Sequence, residues 1–459
     1  MLLQNKFGWL DMKKIILTST LLLYIFIDIQ IVYAKEQTNI DHRIFETISS
    51  FSMTGAGAIP AAMGDTYLAV SDDGTAVTWN PAGLIVVGQT ELSIAGVYFH
   101  RIENLNFSID KQANGNQTTK QLNLRYVGIT QPAKALGHYM WFSLFYQKMF
   151  DFNRKWNFDL TRENDTTKLF SKCDYQSEGG ISVLGLGYTI RAKSKHLAFG
   201  MTCNIMNDDF TGNAWEQKTY QQDVGYYKDI HTDFISQFCQ ADKYSFKGFN
   251  FTFGLMFREI YQWPLNIGLI VKTPYKADVT KDRSIDHWKK TSSTYTIKMP
   301  ASYGIGFSYR FSDEFICAFD IYRTSWDHFV EENSLDVQTS PITGKPVSQT
   351  QTKPTHQLRM GIEYNYKRND RVTPLYLGLF YDPLPSEKNP DDCWGITLGS
   401  GMMYSDLFTI NLAYQYRFGN NINQSVLKHW GFSQDINEHT FHLSMVMDLS
   451  KLSKTKGPY

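Results

Sequence analysis

From about residue 89 to residue 450 the chain repeats one pattern: runs of nine or more residues in which every second position is apolar or aromatic. Period two sends alternate side chains to opposite faces of a strand, so each run predicts a β-strand with two unlike faces. In one run Phe408, Ile410, Leu412, Tyr414, Tyr416 and Phe418 alternate with Thr409, Asn411, Ala413, Gln415 and Arg417. In another, Leu358, Met360, Ile362, Tyr364 and Tyr366 alternate with Arg359, Gly361, Glu363, Asn365 and Lys367. The runs Phe249 to Phe257 and Tyr303 to Phe311 obey the same rule, with Gly254 and Arg258, then Gly304, Gly306 and Arg310, on or continuing the second face. One face is greasy; the other carries charge and glycine.

About fourteen strands are predicted, near 89–101, 120–131, 137–150, 178–192, 195–208, 245–260, 264–276, 299–311, 315–325, 355–367, 374–382, 393–404, 407–418 and 439–450. The gaps alternate, long after the odd strands (102–119, 151–177, 209–244, 277–298, 326–354, 383–392, 419–438) and short after the even ones. A soluble sandwich also alternates along its strands, but it has no reason to keep this parity over seven hairpins. An up-and-down transmembrane barrel does: short periplasmic turns, long extracellular loops, an even strand number. The expected fold class is therefore all-β, an antiparallel transmembrane barrel of about fourteen strands over 89–450 with a tail at 451–459. Trp141, Trp263, Trp394, Tyr404 and Tyr416, near strand ends, are expected in its interfacial aromatic girdles. Cys203 and Cys317, in phase with apolar neighbours, read as small buried or lipid-facing hydrophobes.

Composition narrows the partners. The 459 residues are 15% aromatic but only 42% hydrophobic, and beyond the N-terminus no apolar run approaches the length of a membrane-spanning helix. Forty-five basic residues balance forty-five acidic ones, which removes the electrostatic footprint of a nucleic-acid binder. The five cysteines form no C-x-x-C pair and no Cys/His cluster at zinc spacing, so no metal or cofactor is expected. At the N-terminus Lys13 and Lys14, the apolar stretch Ile15 to Ile27 and the Val32-Tyr33-Ala34 site predict a signal peptide over 1–34, with Met12 as an alternative start. An uncleaved anchor helix is the alternative. A cleaved signal and a barrel together imply a multi-pass protein of the outer membrane.

Residues 35–88 do not alternate; small residues dominate and glycine recurs. The segment reads Phe51-Ser52-Met53-Thr54-Gly55-Ala56-Gly57-Ala58-Ile59-Pro60-Ala61-Ala62-Met63-Gly64-Asp65-Thr66-Tyr67-Leu68-Ala69-Val70, then Ser71-Asp72-Asp73-Gly74 and, after four residues, Trp79-Asn80-Pro81-Ala82-Gly83-Leu84. The G-x-G and M-G-x-x-Y-x-A-V stretch, the acidic pair Asp72-Asp73 and the Asn80-Pro81-Ala82 motif, in this order before some fourteen strands, resemble the N-terminal region of the FadL family. These are outer-membrane channels for long-chain fatty acids and other hydrophobic compounds; the spirochaetal branch looks closest. The match covers about a tenth of the chain, and the barrel matches in strand count and parity.

The resemblance implies a lumen plugged by residues 35–88, the hatch, whose movement on ligand binding gates uptake and whose cargo leaves through a break in the barrel wall. The residues assigned to hatch and gating are Gly55, Gly57, Gly64, Asp72, Asp73, Asn80, Pro81 and Ala82. Small residues suit a backbone packed against a wall, and Asn80-Pro81 reads equally as a turn without ligand contact. A fatty-acid carboxylate calls for a cation, and Arg258, Arg310, Arg359, Lys367 and Arg417 alternate onto the inner face. Aromatics of the long loops, Trp215, Tyr220, Tyr226, Tyr227, Trp326 and Phe329, are expected to form a capture surface. The partners are thus a long-chain fatty acid or another hydrophobic small molecule and the lipid of the outer membrane, with no nucleic acid, around a monomer.

Motifs of soluble hydrolases and nucleotide enzymes are absent from the sequence. His442-Leu443-Ser444 has the spacing of outer-membrane phospholipases, but Met445-Val446 stands where those enzymes continue with Asn-Gly, and the pair reads as polar lumen lining. No catalytic residue is assigned. The alternatives to a channel are a FadL-fold scaffold of secretion machinery and a general porin.

Overall fold

The computed structural model describes residues 55–451 except 164, 229–230, 261–262, 287–288, 370, 406 and 425–430. The expected signal peptide, residues 35–54 of the expected hatch and the tail beyond 451 lie outside the described residues.

Strand segments stack side by side into fourteen antiparallel staves that close on themselves. The first four staves are β1 (Glu91–Phe107), β2 (Gly115–Ala135), β3 (His138–Asp151) continued by β4 (Arg154–Glu163), and β5 (Thr167–Arg191). The next four are β6 (Leu197–Met206) with β7 (Ala214–Tyr227), β8 (Thr232–Phe257), β9 (Leu265–Lys272) with β10 (Tyr275–Ile285), and β11 (Lys289–Met299) with β12 (Ser302–Arg310). The ninth joins β13 (Phe315–Thr324) to the short β14 (Val330–Asn333), beside which lies β15 (Gln338–Thr339). The rest are β16 (Thr355–Arg368), β17 (Arg371–Tyr381), β18 (Trp394–Ser405), β19 (Phe408–Ile422) and β20 (Phe432–Asp448). Closure is complete where β1 pairs with β20, from Glu91 opposite Asp448 to Phe107 opposite Phe432. A closed ladder leaves no edge and satisfies every spanning backbone group within the wall.

The two faces separate as the alternation predicts. Leu412 is 59% exposed and the adjacent Ala413 only 6%; Leu377, Ile396, Leu398 and Leu443 are likewise exposed on the outside. Cys203 and Cys317 fall on this outer parity. Trp394 and Tyr404 are exposed, as a girdle requires. Trp141 is not: it is buried and its Nε1 donates to the carbonyl of Val87 at 2.7 Å. Its position is on the inward parity, which the expectation for a girdle overlooked.

Turn parity holds, but the long connections are mostly strand. At one end the links are tight, the two-residue turn Leu136-Gly137 having both φ values positive as a hairpin of matching twist demands. At the other end 102–119, 151–177, 209–244 and 277–298 run largely as sheet, rising as the hairpins β1–β2, β4–β5, β7–β8 and β10–β11. Above the lipid both strand faces can be polar, so the apolar stripe that marks a strand in sequence disappears although the ladder continues. Elsewhere the wall is interrupted. The β2–β3 ladder runs from Ala135 opposite His138 up to Tyr126 opposite Gln147, and among the described residues no ladder joins β2 to β4. Side chains bridge the seam: Gln117 Nε2 donates to the Asn157 carbonyl at 2.6 Å while its Oε1 accepts from the Asn157 amide at 2.9 Å.

Candidate functional site

Residues 55–87 contain one helical turn (Ala58–Ala62) and two short 3-10 turns (Gly74–Thr78, Pro81–Val86). The buried polar groups of such irregular backbone need partners, and inward-facing residues of the staves supply many. The Asp320 carboxylate of β13 accepts from the amides of Tyr67 and Leu68 at 2.8 and 3.0 Å. Thr397 of β18 accepts from the Gly64 amide at 2.9 Å and donates to the Ala62 carbonyl at 2.7 Å. Thr189 of β5 donates to the Pro81 carbonyl at 2.6 Å, and Ser444 of β20 accepts from the Ala58 amide at 3.3 Å.

Wall glycines make room for this segment. A Cβ on Gly378 would lie 2.1 Å from the Gly64 nitrogen, one on Gly268 2.0 Å from the Leu68 carbonyl oxygen, and one on Gly200 2.3 Å from the Ala82 nitrogen. The inner face therefore carries glycine where the segment's own main chain touches it.

The residues assigned to the hatch occupy different roles. Asn80 caps the second 3-10 turn, its Oδ1 accepting from the Ala82 amide at 3.1 Å. Its Nδ2 donates to Leu68 O at 2.8 Å and to Leu255 O of β8 at 3.1 Å, so one side chain ties the segment to itself and to the wall. Pro81 sits at the start of that turn. Gly57 (φ 106°) precedes the helical turn and Gly64 (φ 65°) follows it; Gly55 lies under the Trp79 ring, where a Cβ would collide. Asp73 caps the first 3-10 turn through the Thr75 amide at 2.8 Å, and burial raises its carboxyl above the ordinary range against the pull of those hydrogen bonds. Asp72 is exposed, its amide donating to Tyr67 Oη at 2.7 Å.

The five basic residues divide. Arg359 and Arg417 are buried inside the barrel. Arg359 donates from Nη1 to the Asp65 carbonyl at 3.2 Å and stacks 4.5 Å over the Tyr322 ring; burial raises the Asp65 carboxyl, and Arg359 opposes that rise. Arg417 faces Asp382 at 3.8 Å. Arg258, Arg310 and Lys367 lie at the tight-turn rim, where Lys367 is exposed and paired with Glu314 at 2.8 Å. The barrel thus brings two of the five into its interior. His442 meets Gln415 at 3.2 Å and Ser444 holds the Ala58 amide, so each member of that pair has a structural partner of its own.

Above the segment is a pocket lined by Val77, Thr78, Phe150, Asn204, Asn250, Lys272, Met299 and Trp326, among others. Lys272 went unnoticed because it ends the run of β9 beside Thr273 and Pro274, where alternation fades. From the tall hairpins a packed aromatic column descends to this pocket. Tyr244 stacks on Trp215 at 4.8 Å, Trp215 meets Phe152 at 5.0 Å, and Phe152 stacks on Phe150 at 6.5 Å. Trp215, Trp326 and Phe329, expected on the loop surface, are buried, since their strands and the 3-10 turn at Trp326–His328 turn them inward. Tyr220, Tyr226 and Tyr227 remain partly exposed on the β7–β8 hairpin. On the opposite side of the barrel, Arg101 pairs with Glu438 at 2.6 Å and Arg154 with Glu103 at 3.2 Å beneath an apolar cap that includes Phe107, Trp156 and Phe432.

No protein-family model matches the chain, and no curated protein matches it. Solved structures do. The toluene transporter TodX of Pseudomonas putida superposes with a TM-score of 0.51 at 14% identity, over 87% of this chain and 99% of that one. The CymD monoaromatic hydrocarbon channel does so with a TM-score of 0.50 at 13% identity, over 87% and 99%. The chain therefore has the barrel fold of the FadL-type channels.

Proposed function

We propose that this protein is an outer-membrane channel that takes up hydrophobic compounds, long-chain fatty acids among them, and that the segment ending near Val87 is the hatch that gates it. The observation that carries this reading is the aromatic column running from the tall hairpins to a pocket whose floor is that segment. A hydrophobic molecule captured at the hairpins slides along apolar rings, displacing them in turn, and comes to rest in a concave site with a few polar groups to orient it. The tall end then faces outside and the tight turns face the periplasm. Movement of the hatch opens the way on. The protein is a monomer without catalytic residues, exported by its N-terminal signal.

Removing residues 35–82 tests this. The barrel's ladders do not depend on them, so the truncated protein should fold and pass ions in planar bilayers where the full chain conducts almost nothing. Fatty-acid binding should weaken while leakage of small polar solutes rises. A full-length protein that already conducts like an open porin rejects the reading, because a filled lumen cannot carry that current. A detergent pull-down that brings down stoichiometric partners would favour the scaffold.

A further inference from the structure

On the inner wall, Thr202, Thr252, Lys272, Ser302, Thr324 and Thr355 stand directly opposite one another on six adjacent staves. At the usual strand spacing the row is roughly 24 Å long. All its members but Lys272 are hydroxyl residues at most 4% exposed, and Lys272 is its one charged residue. Among the described residues Lys272 has no hydrogen-bond or ion-pair partner. Beside it, Asn204 Nδ2 is shared between Asn250 Oδ1 at 3.0 Å and Thr252 Oγ1 at 3.2 Å, which leaves the Asn204 oxygen and the Asn250 amide group for a ligand. Phe150, Met299 and Trp326 supply the pocket's apolar surface, Met299 on the stave of Ser302 and Trp326 just after Thr324, and the cavity between these side chains is about 40 Å³, so a large ligand enters it by displacing the rings of the column. The pocket is thus amphipathic, polar wall positions with one cation standing among apolar side chains.

Resting on the uptake reading, we infer that the pocket selects apolar monocarboxylic acids that carry further hydroxyl groups along one face. The single ammonium matches a single carboxylate. A carboxylate fills only the positions next to Lys272; on the Ser302 side the hydroxyls bond within the wall, Thr324 Oγ1 donating to Ser302 Oγ at 3.0 Å and Trp326 Nε1 to Thr355 Oγ1 at 3.1 Å, while on the other side the row continues through Thr252 to Thr202. An unbranched alkyl chain lying there would leave the Thr202, Asn204 and Asn250 side of the wall facing hydrocarbon, and buried polar groups without partners cost affinity. A site built to hydrogen-bond ligand hydroxyls rejects analogues that lack them.

The test is calorimetric titration of the full-length protein in nanodiscs with cholate, palmitate and toluene, each below its micellar or solubility limit. Cholate should bind at least tenfold tighter than palmitate. Lys272→Met should weaken both acids tenfold or more and leave toluene unchanged, and Lys272→Arg should restore most of the loss. Asn250→Leu should weaken cholate alone. Folding of each variant is read from heat-modifiable gel mobility, and Lys272→Gln serves where Lys272→Met fails to fold. Palmitate binding as tightly as cholate, or cholate binding indifferent to Lys272→Met, overturns the assignment and leaves the uptake reading standing. If none of the three binds, both fall.

Discussion

At the residue scale, Asn80 shows how one side chain couples two levels of structure. Its amide nitrogen serves Leu68 O within the segment and Leu255 O in the wall, and its oxygen closes the turn begun by Pro81. Asn80→Ala leaves buried carbonyls without donors, a loss of about 1–3 kcal/mol in docking the segment. Hydrogen exchange should speed up at the amides of Tyr67, Leu68 and Ala82 while the β1–β20 closure stays protected. Unchanged exchange there would mean that Asn80 is not a tie between segment and wall. The motif was legible as a turn, since Asn followed by Pro has local chemistry. Its long-range partner was not, because nothing local marks Leu255 as the stave against which it would lie. Asp320 was missed for the same reason: it is an isolated acid on an inward parity, and only the fold brings the Tyr67 and Leu68 amides to it.

At the element scale, strand faces are set by parity, and their two environments penalise different changes. Leu412 points into lipid and Ala413 inward, against the side of the wall that the helical turn Ala58–Ala62 approaches. Leu412→Arg should cost about 2–4 kcal/mol in urea refolding experiments if it lies at the bilayer midplane. Ala413→Arg should leave the barrel folded but expel the helical turn, visible as faster proteolysis near Ala58. Equal refolding damage from both would mean that the faces are misassigned. Strand existence was legible wherever lipid forces one face to be apolar. The rising hairpins were hidden as loops because water on both sides removes the stripe, although their cross-strand ladders are as regular as those below.

At the scale of the whole molecule, closure fixes an inside, an outside and two unlike ends. Protease applied to intact cells should cut the tall connections within 209–244 and 326–354 and spare the tight turns at 192–196 and 311–314. Cleavage at the tight turns would invert the topology. The lumen is divided: an aromatic column and pocket on one side, buried ion pairs beneath an apolar cap on the other. This division follows from which staves adjoin around the ring, and that adjacency also assembles the hydroxyl row around Lys272 from six separate strands.

The sequence by itself determined the class of fold, the stave count, the parity of the turns and the glycine-rich segment ahead of the barrel. Each is a local or periodic property that a lipid-facing strand or a tightly packed main chain imposes on neighbouring residues. Tertiary structure alone decided which two of the five basic residues enter the interior, which aromatics leave the surface for the column, and that Lys272 stands beside Thr252 and Ser302. Those facts depend on register between strands far apart in the chain, and a one-residue slip in any ladder would exchange the faces and dissolve them.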